Sequence, residues 1–551
     1  MATFGDHVRA RAHDDNTALL FEDQRWTYRE WVAEVATRAA LWKQMRLDGP
    51  AHIGVLLENI PDFTMWLGAA AVTASTVVGI NPTRRGAELE RDITYTECQL
   101  IVTQRSQLPL LEGLELGIAA NRILVVDDER YADQLAPFVG HELPTDEVNE
   151  SDCFLLLFTS GTSGAPKAVI TSHSRFSFVG GAMNYIIHLE PTDVTYIAMP
   201  LFHSNALFSG WAPTVIAGAA TALRPRFSAS AFMDDVRRYG ATYFNYVGRP
   251  LAYILATPES SEDKNHSLRI GFGNEGAEID ILRFRERFGV ELIDGYGQTE
   301  MGASITRVPN MPAGSLGVAV SPALKVLNPE TSEECPPAVF DDHGRLLNAE
   351  QATGEITNTG QSAFEGYWKN DEANQERLRH GYYWTGDLAY RDADGFFYFA
   401  GRTAEWIRVD GENFAAAPID RIVSRFPGVV LAAAYAVPDA DIGDRVMVAL
   451  QLKEGAVFDP REFSAFLHVQ PDLGAKWMPS YVRLMNELPL TQTNKVLKRD
   501  LTKDKWQSVA RAEGLMYARP DKGTAFEVFG LAQYEALRQR FAALQREGIF
   551  S

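Results

Sequence analysis

Cysteine is scarce in this chain of 551 residues: Cys98, Cys153 and Cys335 are all there is. Three thiols, odd in number and far apart, exclude a disulfide framework and a Cys-x-x-Cys metal site, and they fit a reducing compartment. Positive charge is short as well. Lys and Arg number 52 against 72 Asp and Glu, for a net charge of -20. Such a balance argues against non-specific binding to nucleic acid or to anionic lipid. It leaves room for an anionic small molecule, which needs only a local positive pocket. Long hydrophobic runs are missing. The most apolar window, Leu67 to Ile80, contains Thr73, Ser75 and Thr76 and falls short of the roughly twenty apolar residues of a membrane span. It reads as a buried helix running into a strand. The residues Met1-Ala2-Thr3-Phe4-Gly5-Asp6-His7 lack the basic-then-apolar layout of a secretory signal, so a cytoplasmic protein is expected. Internal repeats and low-complexity segments are absent too.

What is present is an ordinary globular composition, 46% hydrophobic and 23% charged, in a chain long enough for roughly three to four domain-sized units. The first half alternates helical and strand patterns. Trp31 to Trp42 has apolar residues at helical spacing, and His52-Ile53-Gly54-Val55-Leu56-Leu57, Leu100–Thr103, Ile123–Asp127, Val194–Pro200, Ala241–Phe244 and Arg269–Gly273 read as strands. Short β-rich runs separated by helices predict a parallel α/β sheet with right-handed crossovers. After about residue 310 the texture turns to short strands and glycine turns, as in Gly354–Thr357 and Asp394–Phe399. The last part reads as a small α+β unit with helices near Pro418–Phe426 and Pro460–His468 and strands at Val429–Val437 and Val446–Leu452. At the end, Leu531, Tyr534, Leu537, Phe541 and Leu544 are spaced as one packing face of a helix.

The most informative stretch is Thr159-Ser160-Gly161-Thr162-Ser163-Gly164-Ala165-Pro166-Lys167, which follows the apolar strand-like run Phe154–Phe158. Glycines let backbone N–H groups turn toward a common point, and hydroxyls and a lysine add donors, which suits a polyphosphate. A mobile surface loop is the bland alternative. The order fits neither familiar template: Pro166 stands before Lys167 where a Walker A loop needs glycine, and Gly161–Ala165 does not supply Gly-x-Ser-x-Gly.

Three further constellations lie downstream. Asp294-Gly295-Tyr296-Gly297-Gln298-Thr299-Glu300 carries an aromatic ring, a hydroxyl and a lone carboxylate on a glycine turn. Such a carboxylate can hold Mg²⁺ bridging phosphate oxygens, or it is a solvated loop residue. Tyr383-Trp384-Thr385-Gly386-Asp387-Leu388 is followed by Gly395 to Arg402, placing an acid and a base on neighbouring runs. Pro489-Leu490-Thr491-Gln492-Thr493-Asn494-Lys495-Val496 ends in a lysine, with Lys498 close by.

In this combination and order the motifs resemble the adenylate-forming superfamily of acyl-CoA synthetases, luciferases and peptide-synthetase adenylation domains, over nearly the whole chain from Trp26-Thr27-Tyr28 to Lys495. Ile80–Gly86, Arg226–Asp235 and Tyr246–Leu251 are similar to the fatty-acid transport protein and very-long-chain acyl-CoA synthetase branch. The resemblance implies an α/β protein: a large N-terminal domain, residues 1–402, of parallel α/β subdomains plus a β-rich subdomain, and a small mobile α+β C-terminal domain, residues 403–551. A hinge is expected near 402–405, at Ala404.

It also implies roles. Thr159, Ser160, Gly161, Thr162, Ser163, Gly164 and Lys167 would cradle ATP phosphates, with Thr162 catalytic. Asn274-Glu275-Gly276 and Asp294–Thr299 would line the nucleotide pocket, Tyr296 stacking on adenine and Thr299 touching phosphate. Glu300 would ligate Mg²⁺, Asp387 and Arg402 would anchor the ribose, and Lys495 would stabilise the adenylation step. The usual Thr-Gly-Lys is Thr-Asn-Lys here, and Asn is the non-glycine residue that best tolerates a left-handed backbone. Phe202 and His203, in Pro200-Leu201-Phe202-His203-Ser204, would border the acyl site. Gly411 and Glu412 would enter it with coenzyme A after the small domain rotates.

The activity expected is ATP-dependent acyl-CoA ligation, most readily of a long-chain fatty acid, with medium-chain, bile-acid-like or steroid side-chain acids behind. An acyl-adenylate ligase that loads a carrier protein and a non-catalytic fatty-acid carrier are the alternatives. ATP, Mg²⁺ and coenzyme A are the implied cofactors, and a small carboxylic acid is the implied partner. No nucleic acid and no membrane span are expected, and peripheral membrane contact and a homodimer stay open.

Overall fold

The structure is a computed structural model. It describes residues 2–159, 166–274, 276, 278–312, 314–341, 346–402, 406–409, 412–440, 444–470, 473, 475–490, 496–520, 525–544 and 546–550. The chain divides into two compact units: Met1–Gly302 with Ala363–Glu376, and Ala303–Ser362 with Arg377–Ser551.

The first unit is built as its strand runs dictate. Ile, Val and Leu fill both faces of the short strands, so each sheet must be covered on both sides, and parallel crossovers through helices do this. One sheet has the order Ile123–Val125, Leu100–Thr103, His52–Leu56, Thr76–Gly79, Cys153–Phe158, Ala168–Ser172. Its pairs are parallel until the last, where Cys153–Phe158 and Ala168–Ser172 run antiparallel, with Phe158 opposite Ala168. In the other sheet, Glu291–Gly297, Ile270–Asn274, Tyr243–Val247, Val194–Ile197, Ala220–Leu223 and Thr17–Phe21 are parallel, and Gln24–Thr27 closes the edge antiparallel. The apolar window of the sequence is the helix Pro61–Val72 followed by the strand Thr76–Gly79, and both are buried. They share a core with Trp31, Trp42, Trp66 and Trp211. No helix among the described residues is long and apolar enough to cross a membrane.

In the second unit the pairing changes character. Leu324–Leu327, Gly354–Asn358, Tyr382–Arg391, Phe396–Arg402, Gly317–Ala319 and Ser304–Thr306 include antiparallel neighbours throughout the order. Trp406–Val409 pairs with Glu412–Ala415 as a separate ribbon. A five-stranded sheet, Val429–Pro438, Asp444–Leu452, Tyr481–Leu484, Leu515–Ala518 and Glu527–Val528, carries the helices Ala417–Val423 and Pro460–His468. The helix Pro460–His468 is where the sequence predicts one, and it starts with Asp459 accepting from the backbone N–H of Arg461 and Glu462 and with proline at the first position.

The C-terminal stripe needs a correction. The helix is Leu531–Ala543, and Tyr534 and Phe541 are buried, but Leu531 and Leu544 are exposed. Phe550 folds back instead, its ring stacked on Trp506 at 5.2 Å and packed on Phe541 and Tyr534. The buried face of the helix is thus completed by an aromatic that a helical repeat does not reveal.

Candidate active site

The strand Cys153–Phe158 and its antiparallel partner Ala168–Ser172 hold the two ends of the predicted phosphate loop together. The Thr159 N–H donates to the Lys167 carbonyl at 3.1 Å, just outside the last pair of the ladder. Ser160, Gly161, Thr162, Ser163 and Gly164 lie outside the described residues, as do Glu275, Ala404, Gly411 and Lys495.

Lys167 and Glu300 approach one phenol ring. The Tyr367 hydroxyl donates to Glu300 Oε1 at 2.7 Å, and both side chains are buried, Tyr367 at 1% and Glu300 at 7% exposure. Lys167 Nζ sits 5.9 Å from the centroid of the same ring and 3.2 Å from Glu376 Oε2. A carboxylate kept dry at the end of a glycine turn is costly unless something polar meets it. Here Tyr367 does, from a segment far along the chain that carries none of the site motifs. A phosphate-bound cation suits a single carboxylate of this kind, because Mg²⁺ is commonly held by one or two carboxylates plus phosphate oxygens. Among the described residues, no group of three or more His, Cys, Asp and Glu side chains comes together as a self-sufficient metal site.

The neighbouring turn is tied from both sides. Ser204 Oγ and Thr299 Oγ1 lie 2.8 Å apart, which joins the Phe202-His203 loop to Tyr296–Glu300. Asn274 Nδ2 donates to the Gly295 carbonyl at 2.8 Å, and Asn205 Nδ2 donates to Asn274 Oδ1 at 3.2 Å. Asp294 is buried and turned inward: its Oδ2 accepts from the Gly276 N–H at 2.7 Å and from the Tyr246 hydroxyl at 3.2 Å. It braces the pocket wall. A Cβ at Gly276 would lie 2.8 Å from that same oxygen, which accounts for glycine there. Tyr296, next to last in the strand Glu291–Gly297, is half-buried, and Gly297 at the strand's end is exposed.

His203 packs its ring on Phe202, centroids 4.3 Å apart, and its N–H donates to the Pro200 carbonyl. Directly after it, Asn205–Trp211 forms a π-helical turn in which Ala206, Leu207, Phe208, Ser209, Gly210 and Trp211 are buried. Turns of this kind concentrate at functional sites, and no pattern in the sequence foretold it. Gly79 lies behind the loop, where an added Cβ would meet the Phe202 carbonyl oxygen at 2.9 Å and its Cα at 3.2 Å. Backbone atoms cannot swing away as a side-chain tip can. Gly79→Ala is therefore expected to displace Phe202 and His203 and to raise KM for the acid severalfold while KM for ATP stays near its original value. Steady-state kinetics with each substrate varied in turn checks this.

In the second unit, Asp387 pairs in register with Arg402, which ends the strand Phe396–Arg402. Asp387 is buried, and its N–H donates to Thr385 Oγ1, whose hydroxyl donates to the Ile356 carbonyl at 2.7 Å. The residue that organises this turn is Glu355, read in the sequence only as part of a strand. Its Oε1 accepts from the Gly386 N–H at 2.6 Å, and its Oε2 accepts from Arg379 at 3.1 Å. Burial pushes its carboxyl above the usual range. Gly386 has φ +73°, a left-handed conformation that calls for glycine, and a Cβ there would also push the Arg377 guanidinium aside. Glu412 begins the strand Glu412–Ala415. Lys498, the lysine nearest to Lys495 in sequence, is held at 2.6 Å by Asp420 Oδ2.

In the first unit a buried carboxylate and a lysine meet at one phenol, and in the second Asp387 lies in register with Arg402, an arrangement suited to an adenylate-forming enzyme. Residues 7–368 match the family model of the AMP-binding enzymes, and residues 419–495 match the AMP-binding enzyme C-terminal domain. The chain belongs to the AMP-binding enzyme family.

Among curated relatives it is 47% identical over 500 residues to a steroid-22-oyl-CoA synthetase of Rhodococcus jostii (strain RHA1), covering 90% of each chain. It is 44% identical over 509 residues to the medium/long-chain-fatty-acid–CoA ligase FadD17 of Mycobacterium tuberculosis, covering 92% of this chain and 95% of that one. Among solved structures, the fold matches an anthranilate CoA ligase in complex with anthranoyl-AMP, with a TM-score of 0.79 at 22% identity over 92% and 98% of the two chains. ATP-bound MatB from Rhodopseudomonas palustris matches with a TM-score of 0.79 at 22% identity over 91% and 99%. The α/β architecture with a large N-terminal and a smaller C-terminal domain is that of these enzymes. The chain is an acid–thiol ligase of the AMP-forming kind.

Proposed function

We infer that this ligase activates a long, apolar carboxylic acid, a fatty acid or a steroid side-chain acid, and transfers the acyl group to coenzyme A. The observation that carries the reading is the placement of Lys167 and Glu300 on one buried phenol at the end of the closed 159–167 loop. A triphosphate needs both a cation partner and an ammonium, and a protein that only carried lipid would use neither.

In the first half-reaction a carboxylate oxygen of the acid attacks the α-phosphorus of ATP, and the bond from that phosphorus to pyrophosphate breaks. Acyl-adenylate is the product. Thr159 to Gly164 and Lys167 hold the β- and γ-phosphates, and Thr162 donates to the departing group. Tyr296 supplies a face for adenine, Asn274, Glu275 and Gly276 line the pocket with Gly295, Gly297 and Gln298, Thr299 contacts phosphate, and Asp294 keeps the wall in place. Magnesium, when bound, neutralises phosphate charge, and Glu300 is the residue that would hold it. Asp387 accepts hydrogen bonds from the ribose hydroxyls, and Arg402 donates to ribose or phosphate. Lys495 meets the charge that develops between carboxylate and α-phosphate.

In the second half-reaction the coenzyme A sulfur attacks the acyl carbon, the thiol proton leaves to solvent, and AMP departs. We place the boundary of the mobile domain at 402/403 and its hinge at Ala404, so that Gly411 and Glu412 replace Lys495 in the site for this step. Cys98 and Cys335 are buried, burial holds the thiols of all three cysteines well above their usual range, and coenzyme A brings its own sulfur.

The choice of acid rests on what surrounds the Phe202-His203 loop. The π-helical turn behind it buries Ala206, Leu207, Phe208 and Trp211, and the relatives of 47% and 44% identity are named for a steroid-22-oyl and for medium/long-chain fatty acids. Each methylene buried in such surroundings is worth about 0.8 kcal/mol, or about fourfold. In a panel of straight-chain and steroid side-chain acids, followed by pyrophosphate release with and without coenzyme A, kcat/KM should climb by about that factor per methylene until the pocket is filled. A flat profile, or a preference for short polar acids, would remove the apolar acid from the reading. Release of AMP that did not require coenzyme A would remove the thioester step.

A further inference from the structure

After Gly302 the chain returns to the first unit once, for the strap Ala363–Glu376. Its backbone is laced to the strand that closes the phosphate loop. The Ile170 N–H donates to the Gly366 carbonyl at 3.0 Å, the Trp368 N–H donates to the Ala168 carbonyl at 2.8 Å, and Val169 bridges Tyr367. Side chains add to the lacing: Asn370 Nδ2 donates to the Pro166 carbonyl at 3.1 Å, and Glu365 accepts from the Ser172 N–H at 2.7 Å. The strap is therefore fixed against the loop's exit, residue by residue, from Pro166 to Ser172.

Tyr367 sits in the middle of it. Its N–H donates to Asn374 Oδ1 at 2.7 Å, and Phe364 meets the ring edge-on at 5.0 Å. A phenol held at its backbone and its face aims its hydroxyl in a fixed direction, and that hydroxyl donates to Glu300 Oε1, 2.7 Å away. A carboxylate that ligates a cation is commonly held by a hydrogen bond at its other oxygen, and that outer contact is worth about 10- to 100-fold in metal affinity.

We propose that Tyr367 is a positioning residue for Glu300: its hydroxyl fixes the carboxylate through Oε1 and leaves Oε2 for the cation, while its ring sets the distance from that carboxylate to Lys167. The strap thus makes one device of a lysine and a carboxylate that are far apart in sequence. The proposal rests on the reading of Glu300 as the magnesium carboxylate.

The test uses the full chain with ATP and Mn²⁺ as the probe, free and bound Mn²⁺ being counted by electron paramagnetic resonance. Wild type, Tyr367→Phe and Glu300→Gln are compared, with melting temperatures taken alongside. Tyr367→Phe keeps the ring and should bind Mn²⁺ at least about tenfold more weakly. The Mg²⁺ concentration for half-maximal pyrophosphate release should rise by the same factor, with the rate at saturating Mg²⁺ largely retained. Glu300→Gln should lose Mn²⁺ binding more severely. Unchanged Mn²⁺ affinity in Tyr367→Phe, when Glu300→Gln has lost it, overturns the positioning role. A lowered melting temperature with unchanged Mn²⁺ affinity does so too, and marks Tyr367 as structural only. Unchanged affinity in both variants overturns the metal role of Glu300 and the proposal with it.

Discussion

Replacement of Lys495 by alanine should leave a folded protein whose acyl-adenylate formation is slower by about a hundred- to a thousandfold, the usual cost of removing one preorganised donor from a developing charge. The attack places carboxylate and phosphate charge at one point, and an ammonium there lowers the barrier more than it aids ground-state binding. The effect should thus fall on kcat, with KM for ATP little changed. The two sides of the lysine's loop are pinned to each other: Leu490 bridges Val496, and the Leu497 N–H donates to the Pro489 carbonyl at 2.8 Å. Truncating one side chain between those anchors should not disturb them.

Lys498 supplies the control. Its ammonium is committed to Asp420, whose other oxygen accepts from the Ala434 N–H. Lys498→Ala should lower the melting temperature before it lowers the adenylation rate. The half-reactions separate the roles. Pyrophosphate release reads the first step, and thioester formation from supplied acyl-adenylate reads the second, which Lys495→Ala should leave near the wild-type rate. Adenylation at the wild-type rate in Lys495→Ala would take this lysine out of the reaction.

The second large effect is on stability. His173, at the start of the helix His173–Ile187, is fully buried against Phe154, with the ring centroids 4.8 Å apart, and neither ring nitrogen has a hydrogen-bond partner among the described residues. Burial pushes its pKa down to about 4, against the opposing pull of the Asp152 and Asp6 carboxylates and with a small push from Arg9. The folded state therefore holds a neutral ring where the unfolded chain, with an ordinary imidazole near 6.5, takes up a proton. The unfolded state binds more protons between these two values, so stability is full above about pH 6.5 and falls as the pH drops toward 4. The loss reaches about 2 kcal/mol by pH 5, from the linkage relation.

Asp92 works in the opposite direction. Its carboxyl is raised to about 6 by burial, so acid favours the folded form through that group. The measurement is therefore a difference: denaturant unfolding of wild type and His173→Leu at pH 7 and pH 5. The wild type should lose about 2 kcal/mol relative to the variant over that interval. A gap that does not move with pH would mean that His173 keeps its charge in the fold.

Much of the fold was legible because a buried strand or an amphipathic helix writes its burial into local sequence. The helix Pro460–His468 has the residues expected of it, and the strands at His52, Leu100 and Val194 begin where their β-branched runs begin. The glycine-rich loop, the Tyr-Gly-Gln-Thr-Glu turn, the Thr-Gly-Asp turn and the lysine loop could be found for a related reason. Each packs its chemistry into a few consecutive residues, so a short motif suffices to show the resemblance to the family. Where packing crosses long stretches of chain, the signal vanished. Leu531 and Leu544 look like core residues and are exposed, while Phe550, beyond that helix, is buried beside Trp506.

By itself, then, the sequence determined the class of reaction and supplied the candidates for it: a loop for the phosphates, a carboxylate and two lysines. Only the tertiary structure decided how those groups are held. It turned Asp294 inward onto Gly276 and Tyr246, recruited Glu355 to fix the turn before Asp387, and brought Tyr367 to Glu300. Each of these is a hydrogen bond between residues far apart in the chain, made because a buried carboxylate must find a donor wherever the fold has put one.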